Sequence, residues 1–332
     1  RSPWGSSSST SERRRAQRNI FSLSLQTGYA FDSNVTYQGE TGSADIISGR
    51  EDGKITNLLR IDYVPHTSQT SALALGVEVS DSRHFLVDEY DLQEFAARAR
   101  YSYQLSWNWT LDLQYEYAFA QLGEDSFLSN HALSPSLTYH WRQRGNRFAF
   151  DRTTLDYRIE ARDYFFHTEP EFDRDGFVNG VGVAQSFLIR PLPDCDWTWV
   201  VSTGARFESI ATEGSEFDRF AQTLFGSVEI PFENPLLPDR NLTAQVFGSC
   251  EIDHYRHDSL IDTRRRAERD DIIARLGMVL SQELLKTLED GDLNLHMGII
   301  WNDSDSDVRT RGFGSPFTYD KWVAGIQLQW RF

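Results

Sequence analysis

A two-residue alternation of apolar and polar side chains runs from residue 19 to the end of the chain. Its clearest stretch is residues 108–120, where Trp109, Leu111 and Leu113 share one parity and Asp112 and Glu116 occupy the other. Successive side chains of a β-strand point to opposite faces, so this period predicts strands with one apolar and one polar face. Several of these stretches are longer than the usual strand of a soluble protein.

The same period predicts about fourteen strands. Pro135 and Gln185 interrupt the apolar parity of two of them, so the pattern defines the registers between about residues 130 and 231 less sharply. The predicted strands cover residues 19–34, 54–64, 70–82, 92–105, 108–120, 130–142, 147–163, 176–190, 196–209, 217–231, 240–255, 271–284, 291–302 and 320–332.

The predicted connections alternate in length. Long acidic ones cover residues 35–52, 164–175, 257–269 and 303–318, and short ones cover 66–68, 106–107, 144–146, 191–193, 234–235 and 290–291. Tight turns at one end and long loops at the other are typical of outer-membrane barrels. We therefore expect an all-β fold, a transmembrane antiparallel β-barrel of about 14 strands with short periplasmic turns and long extracellular loops, in the bacterial outer membrane.

The last predicted strand ends the chain on an aromatic residue. A strand that closes a barrel must pair with the first strand, because no backbone group can face lipid unpaired. A terminal aromatic residue on such a strand resembles the signal read by the bacterial barrel-assembly machinery, which makes that machinery an expected partner; a chance aromatic terminus is the alternative. The residues of this closing-strand signal are Trp322, Ile326, Leu328, Trp330 and Phe332.

Composition is compatible with a barrel and with a soluble β protein. The mean hydropathy is -0.49 and no run of about 18 apolar residues occurs, so no transmembrane helix is predicted. A barrel has a similar average, because its lipid-facing and lumen-facing residues cancel. Aromatic residues make up 13% of the chain, as aromatic girdles at two membrane interfaces would require. A soluble β protein, which would stay dispersed without detergent, is the fallback.

The net charge of the chain limits its possible partners. The net charge of -16 argues against a nucleic-acid partner and leaves outer-membrane lipid and lipopolysaccharide as the expected surroundings.

Residues 1–18 hold a serine run and a basic cluster, which predict a flexible linker or tail before a barrel domain at 19–332. The chain begins at Arg1 without Met or an apolar signal segment, so we expect a processed or truncated piece of a longer precursor.

Both ends of the predicted barrel resemble barrels that follow tetratricopeptide-repeat domains, a group that includes the surface lipoprotein assembly modifiers. The similar segments are residues 28–35 (GYAFDSNV), 269–270 (RD), 303–305 (DSD), 319–320 (YD) and the terminal Phe332. The chain departs from that pattern at residues 305–308 (DSDV), where an Asp-Ser-Asn type sequence is expected, and between the two ends the resemblance is weak. The resemblance implies passage of a protein or polysaccharide and an upstream periplasmic repeat domain or a surface protein partner.

The polar parity of the predicted strands carries many charged side chains, which we expect to line the lumen. Two interpretations remain open: Arg–carboxylate ladders that brace the wall, or a wet channel whose charges set its selectivity. Because acidic residues are in excess, we expect any passive conductance to prefer cations. The candidate pore residues are Arg60, Asp62, Glu94, Arg98, Arg100, Asp112, Glu116, Asp156, Arg158, Glu160, Arg162, Arg206, Glu208, Glu251, Asp253 and Arg275, with Glu78 and Asp271 on the same parity.

Motifs for catalysis or cofactor binding are missing from the sequence. It holds no Gly-x-Ser-x-Gly, His-Glu-x-x-His, P-loop or Cys-x-x-Cys, so we expect neither an enzyme nor a cofactor. Asp303, Asp305 and Asp307 alternate as calcium ligands sometimes do, but the glycine that a calcium loop needs is missing, which leaves a weak metal candidate against a solvated acidic loop. The expected function is an outer-membrane channel or translocator for a protein, polysaccharide or small solutes. The alternative is a membrane anchor or scaffold in a surface assembly, with a plugged lumen.

Overall fold

The computed structural model of this chain describes residues 21–35, 51–141, 147–165, 169–191, 197–234, 237, 240–260, 268–287, 291–308 and 318–332. The predicted tail at residues 1–18 lies outside the described residues. The division into a linker and a barrel domain therefore stays a prediction.

One closed antiparallel barrel of fourteen strands contains most of the described residues, and this confirms the predicted fold class. Each strand pairs with its neighbours in sequence, and the first strand pairs with the last. Within the described parts of the chain, no helix is long and apolar enough to cross a membrane. The strands are β1 (Phe21–Asp32), β2 (Asp52–Thr67), β3 (Ser71–His84), β4 (Leu92–Gln104), β5 (Trp109–Leu122), β6 (Asp125–His140), β7 (Phe148–Tyr164), β8 (Gly176–Ile189), β9 (Trp199–Thr212), β10 (Arg219–Glu233), β11 (Asn241–Asp258), β12 (Glu268–Thr287), β13 (Gly291–Ser306) and β14 (Tyr319–Arg331).

The two faces of the wall differ as the period-two pattern predicts. In β5, Leu111, Leu113 and Tyr115 expose 39%, 42% and 44% of their surface, whereas Asp112 between them exposes 9%. The pairing of β5 with β4 and β6 keeps this parity, because residues directly opposite each other lie on the same face. Exposed apolar side chains therefore cover the outside of the barrel, and polar side chains point into the lumen.

Loop lengths follow the predicted asymmetry in part. The connections at the end taken as extracellular include residues 33–51, 165–175, 259–267 and 307–318, while the opposite end has the short turns 68–70, 105–108 and 288–290 and the longer connections 141–147, 190–198 and 234–240. At the extracellular end, Gly123 and Glu124 alone join β5 to β6. Gly123 has a φ of 60°, which glycine adopts without steric cost and which permits so tight a turn. A uniform alternation of loop length is therefore wrong at this hairpin.

The barrel closes along β1 and β14. Nine residue pairs join the two strands, from Ser24 opposite Arg331 to Asp32 opposite Val323. In the lumen Gln327 donates to Gln26 at 2.9 Å. The backbone N–H of Phe332 donates to the carbonyl of Leu23 at 2.8 Å, so the terminal residue takes part in the closure. The predicted pairing of the last strand with the first is confirmed.

The outward rows of β6 and β8 are interrupted by Pro135 and Gln185, yet both strands keep the inward and outward parity of their neighbours. Pro135 faces outward opposite Leu113, and β6 begins at Asp125, five residues before the predicted start. Gln185 also faces outward, opposite Thr153, whose hydroxyl donates to the Gln185 side-chain oxygen at 2.5 Å. The Gln185 amide group donates to the carbonyl of Arg152 at 2.9 Å. Hydrogen bonds of this kind satisfy a polar side chain that would otherwise be costly next to lipid.

Candidate functional site: the charged lumen

Every predicted pore residue lies on the inward parity of its strand. The assignment follows from the registers, which place these residues opposite one another and opposite other inward positions. The inward charged residues are Arg60, Asp62, Glu78, Glu94, Arg98, Arg100, Asp112, Glu116, Asp156, Arg158, Glu160, Arg162, Arg206, Glu208, Glu251, Asp253, Asp271 and Arg275.

Arg98 joins three strands. Its Nε donates to Glu116 on β5 at 2.6 Å, and its Nη1 donates to Glu78 on β3 at 2.8 Å. The three side chains expose only 20–26% of their surface. One guanidinium therefore balances two carboxylates, and its planar fork holds both in place.

A second group of ion pairs extends the ladder around the wall. Arg100 donates to Asp112 at 2.9 Å, and the hydroxyl of Ser102 also donates to Asp112. Further around the wall, Arg206 of β9 donates to Asp156 of β7 at 2.9 Å, across β8. These contacts tie neighbouring strands together, as the bracing interpretation requires.

Glycines on β8 make room for the pair that crosses it. Gly180 and Gly182 face the lumen between β7 and β9. A Cβ at Gly182 would lie 2.5 Å from Asp156 Oδ1, and one at Gly180 would lie 3.0 Å from Glu208 Cγ. The sequence shows these glycines at alternate positions, but their role depends on the side chains of two other strands.

Some lumen charges lack an ion-pair partner. Among the described residues, no opposite charge lies within 4.0 Å of Glu94, Glu208, Glu251 or Arg275. Three of these four unpaired groups are acidic. The extra carboxylate of the Arg98 ladder is offset by the extra arginine of the Arg158–Glu160–Arg162 group, so the unpaired carboxylates leave the predicted pore residues with a net negative charge.

A buried ion-pair cluster lies at the extracellular end of β10–β12. Arg219 lies 3.0 Å from Asp253, and Arg269 pairs with Asp271. The ring of Tyr255 lies between the two guanidiniums, 5.6 Å from that of Arg219 and 4.2 Å from that of Arg269. Asp253 and Asp271 were expected in the lumen, but nothing in the sequence pattern indicated their almost complete burial.

Two lysines converge on a residue that the sequence pattern did not select. Asp32 is 1% exposed and lies 2.9 Å from the Lys321 amine and 3.5 Å from the Lys54 amine. These contacts link β1 to both of its neighbours at the extracellular end. The sequence offered one indication of this contact. Lysine occurs only at positions 54, 286 and 321, and two of these three lysines contact Asp32.

The candidate calcium ligands lie on the outer face of β13 and just beyond its end. Asp303 and Asp305 were expected in a loop, but both lie on β13, which continues to Ser306, and their parity faces outward. Asp307 follows the strand and accepts a hydrogen bond from the backbone of Asp270 at 3.0 Å. In the described part of the chain, no three His, Cys, Asp or Glu side chains are placed to hold a metal ion.

The closing-strand residues lie on the outer surface. They comprise residues of the outward row of β14 and the residue that follows it, and each exposes 40–46% of its surface. Trp330 and Phe332 stack with ring centroids 4.9 Å apart at the periplasmic end. The residues of this row are Trp322, Ile326, Leu328, Trp330 and Phe332.

Comparison with known proteins finds likeness only among solved structures. No protein-family model matches the chain. No curated protein matches it either. A bacterial polysaccharide outer membrane secretin is 8% identical with a TM-score of 0.45, over 93% of this chain and 97% of that one. CdiB from Acinetobacter baumannii is 8% identical with a TM-score of 0.47, over 95% and 60%. OprD from Pseudomonas aeruginosa is 9% identical with a TM-score of 0.44, over 94% and 95%.

Because these TM-scores are below 0.5, the assignment rests on the chain's own geometry. The barrel is closed, antiparallel and even in strand number, and its outer surface is apolar. Those are the properties of barrels that span the bacterial outer membrane. The chain is an outer-membrane β-barrel. Its charged lumen is the candidate functional site.

Proposed function

We propose that this barrel is a water-filled, cation-preferring channel through which solutes or a polymer cross the outer membrane. The observation that carries the proposal is the excess of unpaired carboxylates among the predicted pore residues, Glu94, Glu208 and Glu251 against Arg275. Fixed charges of one sign in a low-dielectric channel concentrate mobile ions of the opposite sign.

Solvent exposure inside the barrel supports a wet lumen on the periplasmic side. The side chains of Arg60 and Arg100 are 45% and 56% exposed although they point inward. Charged groups at this level of exposure need water around them. A lumen filled by packed side chains would have buried these guanidiniums.

Planar-bilayer recording tests the proposal. We expect discrete conductance steps and, in a KCl gradient, a reversal potential that shows cation preference. The triple variant Glu94→Gln, Glu208→Gln, Glu251→Gln should bring the cation-to-anion permeability ratio toward about 1, since it removes the unpaired negative charge without touching the Arg98 ladder.

A matched control changes the same number of carboxylates on the outer surface. The variant Asp303→Asn, Asp305→Asn, Asp320→Asn alters only outward-facing residues of β13 and β14 and should leave the permeability ratio unchanged. Anion preference of the unmodified barrel, or equal effects of the two triple variants, would contradict the proposed selectivity.

An anchor or scaffold with a closed lumen is the second candidate. It is favoured by the burial of inward residues at the extracellular end, where Asp253, Asp271 and Ser304 are 2%, 3% and 1% exposed. A barrel of this kind would show no conductance steps in the same recordings. Passage of a protein or polysaccharide, an upstream repeat domain and recognition of Phe332 by the assembly machinery remain proposals from the sequence.

A further inference from the structure

A small pocket with three arginines lies inside the extracellular mouth of the barrel. Arg162 and Tyr164 at the end of β7, Arg174 in the β7–β8 connection and Arg219 at the start of β10 line it. The cavity measures about 90 Å³. We call it the arginine pocket.

The strand registers create the space. Arg162 lies opposite Gly176, which lies opposite Thr212, and Arg219 lies opposite Ile210. A Cβ at Gly176 would clash with the carbonyl oxygen of Ala211, so the glycine lets β8 and β9 approach closely here. The pocket therefore lies between Arg162 on β7 and Arg219 on β10, with residues of β8 and β9 as its floor.

Arg162 uses only part of its guanidinium within the protein. Its Nε donates to Glu160 at 2.6 Å, and neither terminal nitrogen hydrogen-bonds to another described residue. Glu160 also pairs with Arg158, so a single carboxylate serves two guanidiniums. This group of three side chains carries a net positive charge beside the pocket.

Arg219 also uses only part of its guanidinium within the protein. Its Nε lies 3.0 Å from Asp253 Oδ2, and its terminal nitrogens make no hydrogen bond to any residue in the described ranges. The side chain is 22% exposed, and that exposure opens on the pocket. A guanidinium has five N–H donors, so most of the donors of Arg219 remain available to a ligand.

The loop side of the pocket is held in position. The guanidinium carbon of Arg174 lies 4.0 Å from the centre of the Phe217 ring, within cation–π distance. Asp175 accepts the backbone N–H of Tyr164 at 2.6 Å, so its carboxylate is engaged outside the pocket. Burial raises the pKa of Asp175, and the hydrogen bond from Tyr164 partly offsets that effect.

We propose that the arginine pocket binds an oxyanion, the carboxylate or phosphate group of a solute arriving from the extracellular side. The planar edges of two guanidiniums match the paired oxygens of such a group. The inference goes beyond the proposed channel, because binding at this site does not require an open lumen. Its failure and the failure of the channel are therefore measured separately.

Isothermal titration of the full chain in detergent tests the proposal with inorganic phosphate and gluconate as probes and glucose as the neutral control. We expect one saturable site for an anion, with a dissociation constant at or below about 1 mM, and no binding of glucose. Arg162→Gln and Arg219→Gln should each weaken binding at least about tenfold, because each removes charge-assisted hydrogen bonds. Binding of phosphate but not gluconate would assign the site to phosphate, and the reverse result to carboxylates.

The matched control is Arg275→Gln, which removes an unpaired inward arginine outside the pocket and should leave binding unchanged. If the pocket variants do not fold, phenylglyoxal labelling of the unmodified barrel serves instead: phosphate should protect Arg162 and Arg219 and not Arg275. Absence of anion binding up to about 10 mM, or an equal loss in Arg275→Gln, would overturn the proposal.

Discussion

Replacing Arg98 with Met should lower the free energy of unfolding by about 2–4 kcal/mol, because it leaves Glu78 and Glu116 side by side in the wall without a counter-charge. Among the described residues, Arg98 is the only positively charged group within 4.0 Å of both carboxylates. The measurement is equilibrium unfolding in urea with the barrel in detergent or lipid. The midpoint should fall with little change of slope.

Arg60→Met is the matched control for this ladder. Arg60 also faces the lumen and binds a single carboxylate, Asp62, at 2.8 Å, but its side chain is 45% exposed. Exposed pairs contribute about 0–1 kcal/mol, so this variant should be nearly neutral. Combining Arg98→Met with Glu78→Gln and Glu116→Gln should restore most of the loss. An Arg98→Met variant no less stable than Arg60→Met would show that the ladder does not brace the wall.

Placing a charge on the outer surface should have an effect of similar size. Leu155 lies near the middle of β7, faces outward and is 52% exposed to the surroundings of the barrel. Leu155→Arg should destabilise the barrel in lipid by about 2–4 kcal/mol, since an arginine at mid-depth of the bilayer loses its hydration. The same unfolding experiment, run in liposomes, measures the loss.

The neighbouring residue provides the comparison. Thr154 precedes Leu155 on β7 and faces the lumen, where its hydroxyl lies 3.1 Å from that of Thr138. Thr154→Arg puts the same side chain at almost the same depth but in the wet interior, and should cost about 1 kcal/mol or less. Equal losses for the two variants would mean that the lipid and lumen faces are wrongly assigned.

The number of strands and the face on which each side chain lies could be predicted from the sequence, because both depend on a local property. Side chains alternate with a period of two whatever a strand pairs with, so the parity of Leu111 and Asp112 is fixed within β5 itself. The same reasoning placed Arg98, Asp156 and Glu251 inside the lumen. The same reasoning holds at Pro135 and Gln185, because the residues around them in each strand keep the alternation.

Which charges pair was beyond the sequence. Arg98 has Glu94 four residues away on its own strand, yet it binds Glu78 and Glu116 on the neighbouring strands. The choice depends on the register between strands and on the reach of each side chain, and both are set by the closed barrel.

The sequence by itself determined about fourteen β-strands, each with an apolar and a polar face, and placed the charged side chains on the polar face. Only the tertiary structure decided that Glu94 and Glu208 lack ion-pair partners, that Asp253 is buried, and that Arg162 and Arg219 flank one pocket. The physical reason is range: alternation acts between adjacent residues, whereas electrostatic pairing and cavities depend on strands that are distant in sequence and meet only when the barrel closes.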